Sequence, residues 1–366
     1  MLIMLFLSSG LFLGWSLGAN DASNIFGTAV GTRMVKFYTA AFVASIFVVL
    51  GAVISGAGTT HTLGKLGAVD MIAGAFMVAL AAALTVFWMT RLSLPVSTSQ
   101  AIVGAIVGWN LFAGKPTDMA ALTKIASTWV MSPVLAAAFS FVLFFMVKYL
   151  MKYWKIHIFR LDAYTRIGLI VVGAFGAYSL GANNIANVMG VFVAVAPFES
   201  LDIFGIDFNG VEQLFLLGGL AIAVGIFTYS RRVMMTVGDG VVKLTPQTAL
   251  IVVLSQALVL FLFASKGLET WLLAHNLPTV PLVPVSSSQV VIGSILGIGL
   301  AHGGGGIRFR VLGKIASGWV TTPIIAALIS FISLFFLQNV FDQQVVKPVD
   351  QTSIHETISP ETHKHG

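Results

Sequence analysis

Two short polar motifs stand within apolar stretches of this sequence, and each motif occurs twice. The first reads GANDASN at 18–24 and GANNIAN at 181–187. Its carboxylate and carboxamide oxygens are hard ligands, the type that alkali and alkaline-earth cations prefer. We therefore predict cation sites formed by six side chains: Asn20, Asp21, Asn24, Asn183, Asn184 and Asn187.

The glycines of this motif admit two readings. Gly18 and Gly181 permit either local unwinding of a helix or close approach of a neighbouring backbone. An unwound helix exposes carbonyl oxygens of the kind that coordinate Na⁺ in transporters. Simple helix packing explains the small residues, but it does not explain Asp21, because an ionisable residue within a membrane is costly and functional by default. Cation binding is therefore favoured over packing alone.

The second motif reads PVSTSQ at 95–100 and PVSSSQ at 284–289. A proline followed by hydroxyl residues predicts the start of a helix, where free N–H groups and the helix dipole attract anions. An ordinary helix cap would explain one copy. Two copies favour a tetrahedral oxyanion held between two helix tips, and the predicted donors are Ser97, Thr98, Ser99, Gln100, Ser286, Ser287, Ser288 and Gln289.

The composition defines the environment of these motifs. The 366 residues are 57% hydrophobic and 9% charged, whereas soluble domains contain about 25% charged residues. The lipid bilayer is therefore the expected surroundings of an integral membrane protein. The net charge of +6 is expected to report membrane topology and not a nucleic-acid partner. The absence of cysteine excludes disulfides and thiolate chemistry, and the apolar start, without a basic region, predicts a retained helix.

Apolar runs long enough to cross a bilayer recur along the whole chain. They lie near 1–19, 38–57, 69–90, 122–147, 167–195, 212–230, 247–266 and 315–338. Two shorter apolar stretches, 96–112 and 285–302, begin with the Ser-rich motif. We predict that these two are re-entrant or broken helices, which are tolerated only where protein or a cavity surrounds the irregular backbone.

A third duplicated motif, KIASTWVMSP at 124–133 and KIASGWVTTP at 314–323, follows the first two in the same order. The chain is therefore predicted to contain two homologous halves. The predicted boundaries are a first repeat at 1–147, a basic cytoplasmic linker at 148–166, a second repeat at 167–340, and a polar, disordered tail at 341–366. Lys124 and Lys314, with the nearby Trp129 and Trp319, are read as anchors at the membrane interface.

The number of crossings in each half sets the orientation of the halves. If each Ser-rich segment and the run before it form a hairpin, each half has an odd number of crossings, and the halves insert in opposite directions. Lys and Arg are concentrated on the side of the linker, which predicts both termini outside a plasma (inner) membrane. The expected fold is an all-α polytopic membrane protein with two inverted-topology repeats, whose broken or re-entrant helices meet at a midplane site. That pattern is typical of secondary transporters.

The paired motifs resemble the signature repeats of the PiT family of inorganic phosphate transporters, over 11–145 and 174–338. The resemblance implies phosphate at the Ser/Thr–Gln tips and coupling ions, Na⁺ or H⁺, at the Asn/Asp motifs; a few relatives carry sulfate. It implies no cofactor. Two departures are visible. The segment 148–166 is short where some members insert a domain, and Asn184 stands where many members have a second Asp, so we expect unequal cation sites.

The resulting functional hypothesis is a secondary transporter that imports phosphate by symport with cations, with Na⁺ favoured. A proton-coupled phosphate or sulfate permease is the nearest alternative, and a passive anion channel is a more distant one. A membrane enzyme is not expected, because no His/Asp/Ser constellation or carboxylate cluster lies at membrane depth. The oligomeric state stays open, and a homodimer is one alternative.

Overall fold

The computed structural model describes residues 2–67, 69–92, 96–153, 157–195, 198–203, 205–237, 244–304 and 307–347. Pro95, the first residue of one Ser-rich motif, lies outside them. The helices of the described part, numbered in chain order, are α1 (Leu2–Gly31), α2 (Phe37–Ser55), α3 (Ala57–Leu66), α4 (Ile72–Arg91), α5 (Thr98–Ala113), α6 (Met119–Tyr153), α7 (Ile158–Met189), α8 (Gly210–Thr228), α9 (Ser230–Val237), α10 (Pro246–Leu262), α11 (Lys266–Ala274), α12 (Ser287–Ala301) and α13 (Phe309–Asn339).

Most of these helices are long and apolar enough to span a bilayer. Within the described residues seven helices meet this criterion, and α10 with α11, bent by 68° at their break, forms an eighth candidate. Helices α5 and α12 contain only 16 and 15 residues, fewer than the roughly 20 that a crossing needs. The predicted polytopic helical fold with two short internal helices is confirmed. Its inverted topology stays a prediction.

Local sequence explains where the two short helices begin. The Ser97 side chain accepts a hydrogen bond from the Gln100 backbone N–H at 3.2 Å, and Ser286 accepts one from Gln289 at 3.3 Å. Each serine is thus the N-cap of its helix, which satisfies one of the N–H groups that the first turn leaves without an intrahelical partner. Helix α5 ends at Gly114, whose φ of +63° is the left-handed conformation that favours glycine.

The Asn/Asp motifs do not interrupt their helices. Helix α1 continues through Gly18 and α7 continues through Gly181, so of the two readings local unwinding does not hold. A Cβ atom on Gly18 would collide with the carbonyl oxygen of Ile222 in α8, and one on Gly181 would collide with that of Val48 in α2. These glycines therefore serve the alternative role, the close approach of two helix backbones.

The two halves of the chain interlock through equivalent contacts. Helix α1 packs on α8 and α7 packs on α2, while α5 packs on α13 and α12 packs on α6. Gly104 of α5 lies against the Pro323 carbonyl of α13, and Gly293 of α12 lies against the Pro133 carbonyl of α6. Each short helix is therefore held by the long helix that follows the Ser-rich motif in the other half. This arrangement places the N-terminal tips of α5 and α12 together.

The second half carries two insertions relative to the first. One contains a small antiparallel hairpin of β1 (Leu201–Ile203) and β2 (Ile206–Phe208), a minor addition to the predicted helical fold. The other contains α11, which has no buried residue. Neither insertion contains a residue of the duplicated motifs.

The structure adds detail to the predicted linker and tail. Much of the segment 148–166 is helical, because α6 extends to Tyr153 and α7 begins at Ile158. The tail starts with a packed segment: Val345 is fully buried, and its carbonyl accepts a hydrogen bond from the Trp109 indole at 3.3 Å. Residues 348–366 lie outside the described residues, so disorder there stays a prediction.

Candidate functional site

The tips of α5 and α12 are joined by a reciprocal pair of hydrogen bonds. The Ser99 hydroxyl donates to the Val285 carbonyl at 2.9 Å, and the Ser288 hydroxyl donates to the Val96 carbonyl at 3.0 Å. Each serine thus bonds the extended segment that leads into the opposite helix. Because both helices begin here, their free N–H groups and the positive ends of their dipoles converge on one region.

Asp21 connects the first Asn/Asp motif to this region. Its carboxylate accepts hydrogen bonds from the Ser287 hydroxyl and from the Asn20 carboxamide, both at 2.8 Å. The Asn24 carboxamide donates to the same Ser287 hydroxyl at 3.2 Å. The two motifs, predicted separately as a cation site and an anion site, therefore share one residue, Ser287, and form one continuous polar cluster.

The second Asn/Asp motif makes a related set of contacts without a carboxylate. The Asn187 carboxamide donates to Ser99 Oγ at 2.8 Å and to Asn184 Oδ1 at 2.9 Å. Asn183 accepts from the Val285 N–H at 2.9 Å. The Asn184 carboxamide donates to the Leu180 carbonyl of its own helix at 3.2 Å. Among the hydrogen bonds of the described residues, Asn184 thus reaches the tips only through Asn187, whereas Asp21 bonds a tip residue directly.

Burial makes the charge at Asp21 unusual. Its side chain is 1% exposed, and it is the one buried charged residue among those that the structure describes. The described residues contain no group of three or more His, Cys, Asp or Glu side chains that could hold a metal ion. A lone buried carboxylate among neutral oxygens suits an alkali cation or a proton better than a transition metal.

Several acceptors at the site lack partners. All fourteen predicted residues are buried, and within the described part of the chain four of their solvent-inaccessible side-chain atoms have no hydrogen bond: Thr98 Oγ1, Gln100 Oε1, Asn187 Oδ1 and Gln289 Oε1. An unsatisfied buried polar atom costs about 1–3 kcal/mol, so such a concentration is unfavourable unless a ligand uses these atoms. A cavity of about 410 Å³ lies elsewhere, between α2 and α8, and is lined by Phe198, Phe215 and other residues outside the fourteen.

Sequence reasoning missed Gln256 and misread two tryptophans. Gln256 of α10 is fully buried, and neither of its amide atoms is bonded within the described residues; its only signal was a carboxamide in an apolar run. The indole nitrogens of Trp129 and Trp319 are also buried and, in the same described part, unbonded. An interfacial anchor directs its N–H towards water or headgroups, so these two tryptophans are not anchors of the expected kind.

A helical bundle with two half-length helices meeting tip to tip, beside a buried polar cluster, is the architecture expected of a membrane transporter. The model of the phosphate transporter family matches residues 17–330, and a second match covers 267–355. The chain therefore belongs to the phosphate transporter family, and the protein is a transporter and not an enzyme. The resemblance of the paired motifs is confirmed by this match.

Individual relatives are similar over most of their length. A Pyrococcus abyssi protein, whose name provisionally assigns it to the phosphate permeases, is 27% identical over 90% of this chain and 96% of its own. The sulfate permease CysP of Bacillus subtilis is 30% identical over 89% of this chain and 86% of its own. A solved structure of a sodium-dependent phosphate transporter has a TM-score of 0.74, covers 92% of this chain and 99% of its own, and is 24% identical. The similarity to this solved structure establishes the fold.

Proposed function

We propose that this protein imports inorganic phosphate by symport with Na⁺, using the tips of α5 and α12 for phosphate and the Asn/Asp motifs for cations. The observation that carries this proposal is the bond between Asp21 and Ser287, because it joins a buried carboxylate to an anion-binding helix tip. The family supports phosphate as the substrate. The name of the structural neighbour, a sodium-dependent transporter, agrees with Na⁺ as the coupling ion.

The tips supply donors for a tetrahedral oxyanion. Each helix N-terminus carries roughly half a positive elementary charge, and the hydroxyls of Thr98, Ser99, Ser287 and Ser288 can turn their hydrogens towards an anion. The favourable dipole term is at most about 2 kcal/mol per helix. The idealised cost of moving one ion from water into a low-dielectric interior is of order 20 kcal/mol. Tips alone cannot offset that cost, so phosphate requires accompanying cations.

The shared residue Ser287 provides a route for coupling. A hydroxyl has one hydrogen to donate, and in the described arrangement Ser287 donates it to Asp21. A cation at Asp21 satisfies the carboxylate and releases this hydrogen for an oxyanion at the tip. Cation and phosphate therefore favour each other's binding. A proton on Asp21 would release Ser287 in the same way, so H⁺ is the alternative coupling ion.

Alternating access follows from the interlocked halves. The bonds of Ser99 to Val285 and of Ser288 to Val96 close the space between the tips, and they must open for phosphate to enter between them. Rocking of one half against the other around this point gives access to each side in turn.

We further propose an inner-membrane location with both termini outside, on the distribution of Lys and Arg, and lipid contact along the exposed apolar faces of α6 and α13. A homodimer through these faces is the alternative arrangement.

Sulfate is the second candidate substrate, because CysP is a relative at 30% identity. The two anions differ in one relevant property. At neutral pH phosphate carries at least one hydroxyl hydrogen that can be donated, whereas sulfate carries none. The unbonded oxygens of Gln100 and Gln289 can accept such a hydrogen, which favours phosphate.

Uptake into proteoliposomes tests both substrates. Purified protein is reconstituted, and entry of labelled phosphate or labelled sulfate is measured with an inward gradient of Na⁺, of H⁺, or of neither. We expect phosphate entry driven by Na⁺ and weak competition by sulfate. Entry that ignores both gradients would refute coupling, and preferential entry of sulfate would refute the choice of substrate.

A further inference from the structure

Gln256 of α10 is the most exceptional polar residue outside the duplicated motifs. Its side chain is 0% exposed, and both its Oε1 and its Nε2 are without a hydrogen-bond partner among the described residues. The neighbouring Ser255 hydroxyl, by contrast, donates to the Ile251 carbonyl at 2.8 Å. A buried carboxamide with no partner is destabilising, so its presence at this depth calls for a ligand.

Close packing at Gly176 brings α10 near α1, beside the end of the Asn/Asp motif. A Cβ atom built on Gly176 of α7 would lie 3.2 Å from Ile25 Cγ2 of α1 and 3.7 Å from Ala257 Cβ of α10. Ile25 directly follows Asn24, whose carboxamide donates to Ser287, and Ala257 directly follows Gln256. Helix α10 therefore passes close to α1, and Gln256 and Asn24 directly precede the two residues that meet at Gly176.

Gln256 lies outside the face of α10 that meets α7. Leu250, Ala257 and Phe261 form the face of α10 that meets α7, because Leu250 lies at Gly168 and the Phe261 ring lies 5.5 Å from the Phe175 ring. Gln256 follows Val252 by four residues and shares its face.

Val252 belongs to the apolar cluster that includes Val291 and Ile292 of α12. Gln256 thus shares a side of α10 with a residue packed in the cluster of α12, the helix whose tip holds Ser287, and of α6.

The first half has no counterpart of this residue. Helices α4 and α10 begin at Ile72 and Pro246, and the position that corresponds to Gln256 is Ala82, which is buried and apolar. Helix α10 therefore carries a buried carboxamide at the position where α4 carries an apolar side chain.

We propose that Gln256 Oε1 is a ligand of the cation bound at Asp21. With Asn24 and Ser287 it completes an oxygen-lined site around one carboxylate, and this is the stronger of two unequal cation sites. Hard oxygen ligands of this type suit Na⁺. The inference rests on the proposed cation coupling, and it adds a ligand that the duplicated motifs do not contain.

The substitution Gln256→Met tests this assignment, because methionine keeps a similar volume and removes the amide. Thermal unfolding of the purified protein is followed against Na⁺ concentration, with choline as the replacing cation and without phosphate. In Gln256→Met we expect the Na⁺ concentration that gives half of the maximal rise in unfolding temperature to be about tenfold higher. The unfolding temperature without Na⁺ should stay equal or rise, because an unbonded buried amide is lost. Gln256→Glu, which restores an oxygen ligand, should recover the Na⁺ response.

Ser294→Ala is the matched control. Ser294 of α12 is also buried, and its hydroxyl is unbonded within the described residues. The first half has Ala105 at the corresponding position. The Ser294→Ala protein should keep the Na⁺ response of the wild type. A folded Gln256→Met protein with that same response would overturn the inference while leaving Na⁺ coupling intact. A wild type that Na⁺ does not stabilise would overturn the sodium coupling itself, and the assignment of Gln256 with it.

Discussion

Replacing Asp21 with asparagine removes the buried negative charge and preserves the size of the side chain. In the wild type, Asn20 and Ser287 each donate to this carboxylate at 2.8 Å, and an amide oxygen can still accept one of these bonds. The main loss is therefore electrostatic. Two unit charges about 4 Å apart interact by about 4 kcal/mol at an effective dielectric constant of about 20. Loss of that term weakens Na⁺ binding by about a thousandfold.

The assay is the initial rate of labelled phosphate uptake into proteoliposomes as a function of external Na⁺, with K⁺ as the replacing cation. We expect Asp21→Asn to lose saturable Na⁺ dependence. The reciprocal change, Asn184→Asp, adds a carboxylate to the other motif and should steepen the dependence on Na⁺. An Asp21→Asn protein that takes up phosphate with the half-saturating Na⁺ concentration of the wild type would refute the reasoning.

Two further predictions concern the anion tips and the packing of α1. Gln100→Ala and Gln289→Ala should each raise the KM for phosphate by about tenfold, because each removes one hydrogen bond to a charged ligand. An effect of only one of the two substitutions would show that the tips are not equivalent. Gly18→Ala should lower the free energy of unfolding by about 1–3 kcal/mol, because its Cβ collides with the Ile222 carbonyl. Gly64→Ala, which meets no atom within 4 Å in the described structure, should not. Equal stability of the two alanine variants in thermal unfolding would contradict the packing argument.

Much of the architecture could be predicted because the sequence repeats itself. Duplicated motifs in one order indicated two homologous halves, and the short apolar stretches after the Ser-rich motifs indicated helices α5 and α12. Hydroxyl residues before these stretches predicted their N-caps, and the structure has Ser97 and Ser286 in that role. These features depend on local pattern and on comparison within the chain, so they are readable without knowledge of tertiary contacts.

The features that could not be predicted depend on partners distant in sequence. Gly18 and Gly181 were compatible with unwinding or with close packing, and only the carbonyls of Ile222 and Val48 decide between them. Gln256 has no repeat partner and lies in an apolar run, so no pattern marked it. Its significance follows from the helices packed beside it.

The most direct test of ion coupling is the affinity of the purified protein for phosphate, measured by titration calorimetry with and without Na⁺ at constant ionic strength. We predict that Na⁺ tightens phosphate binding and that phosphate tightens Na⁺ binding by the same factor, as linkage requires. A phosphate affinity that is identical in Na⁺ and in choline, and unchanged by pH, would contradict symport through Asp21 and Ser287.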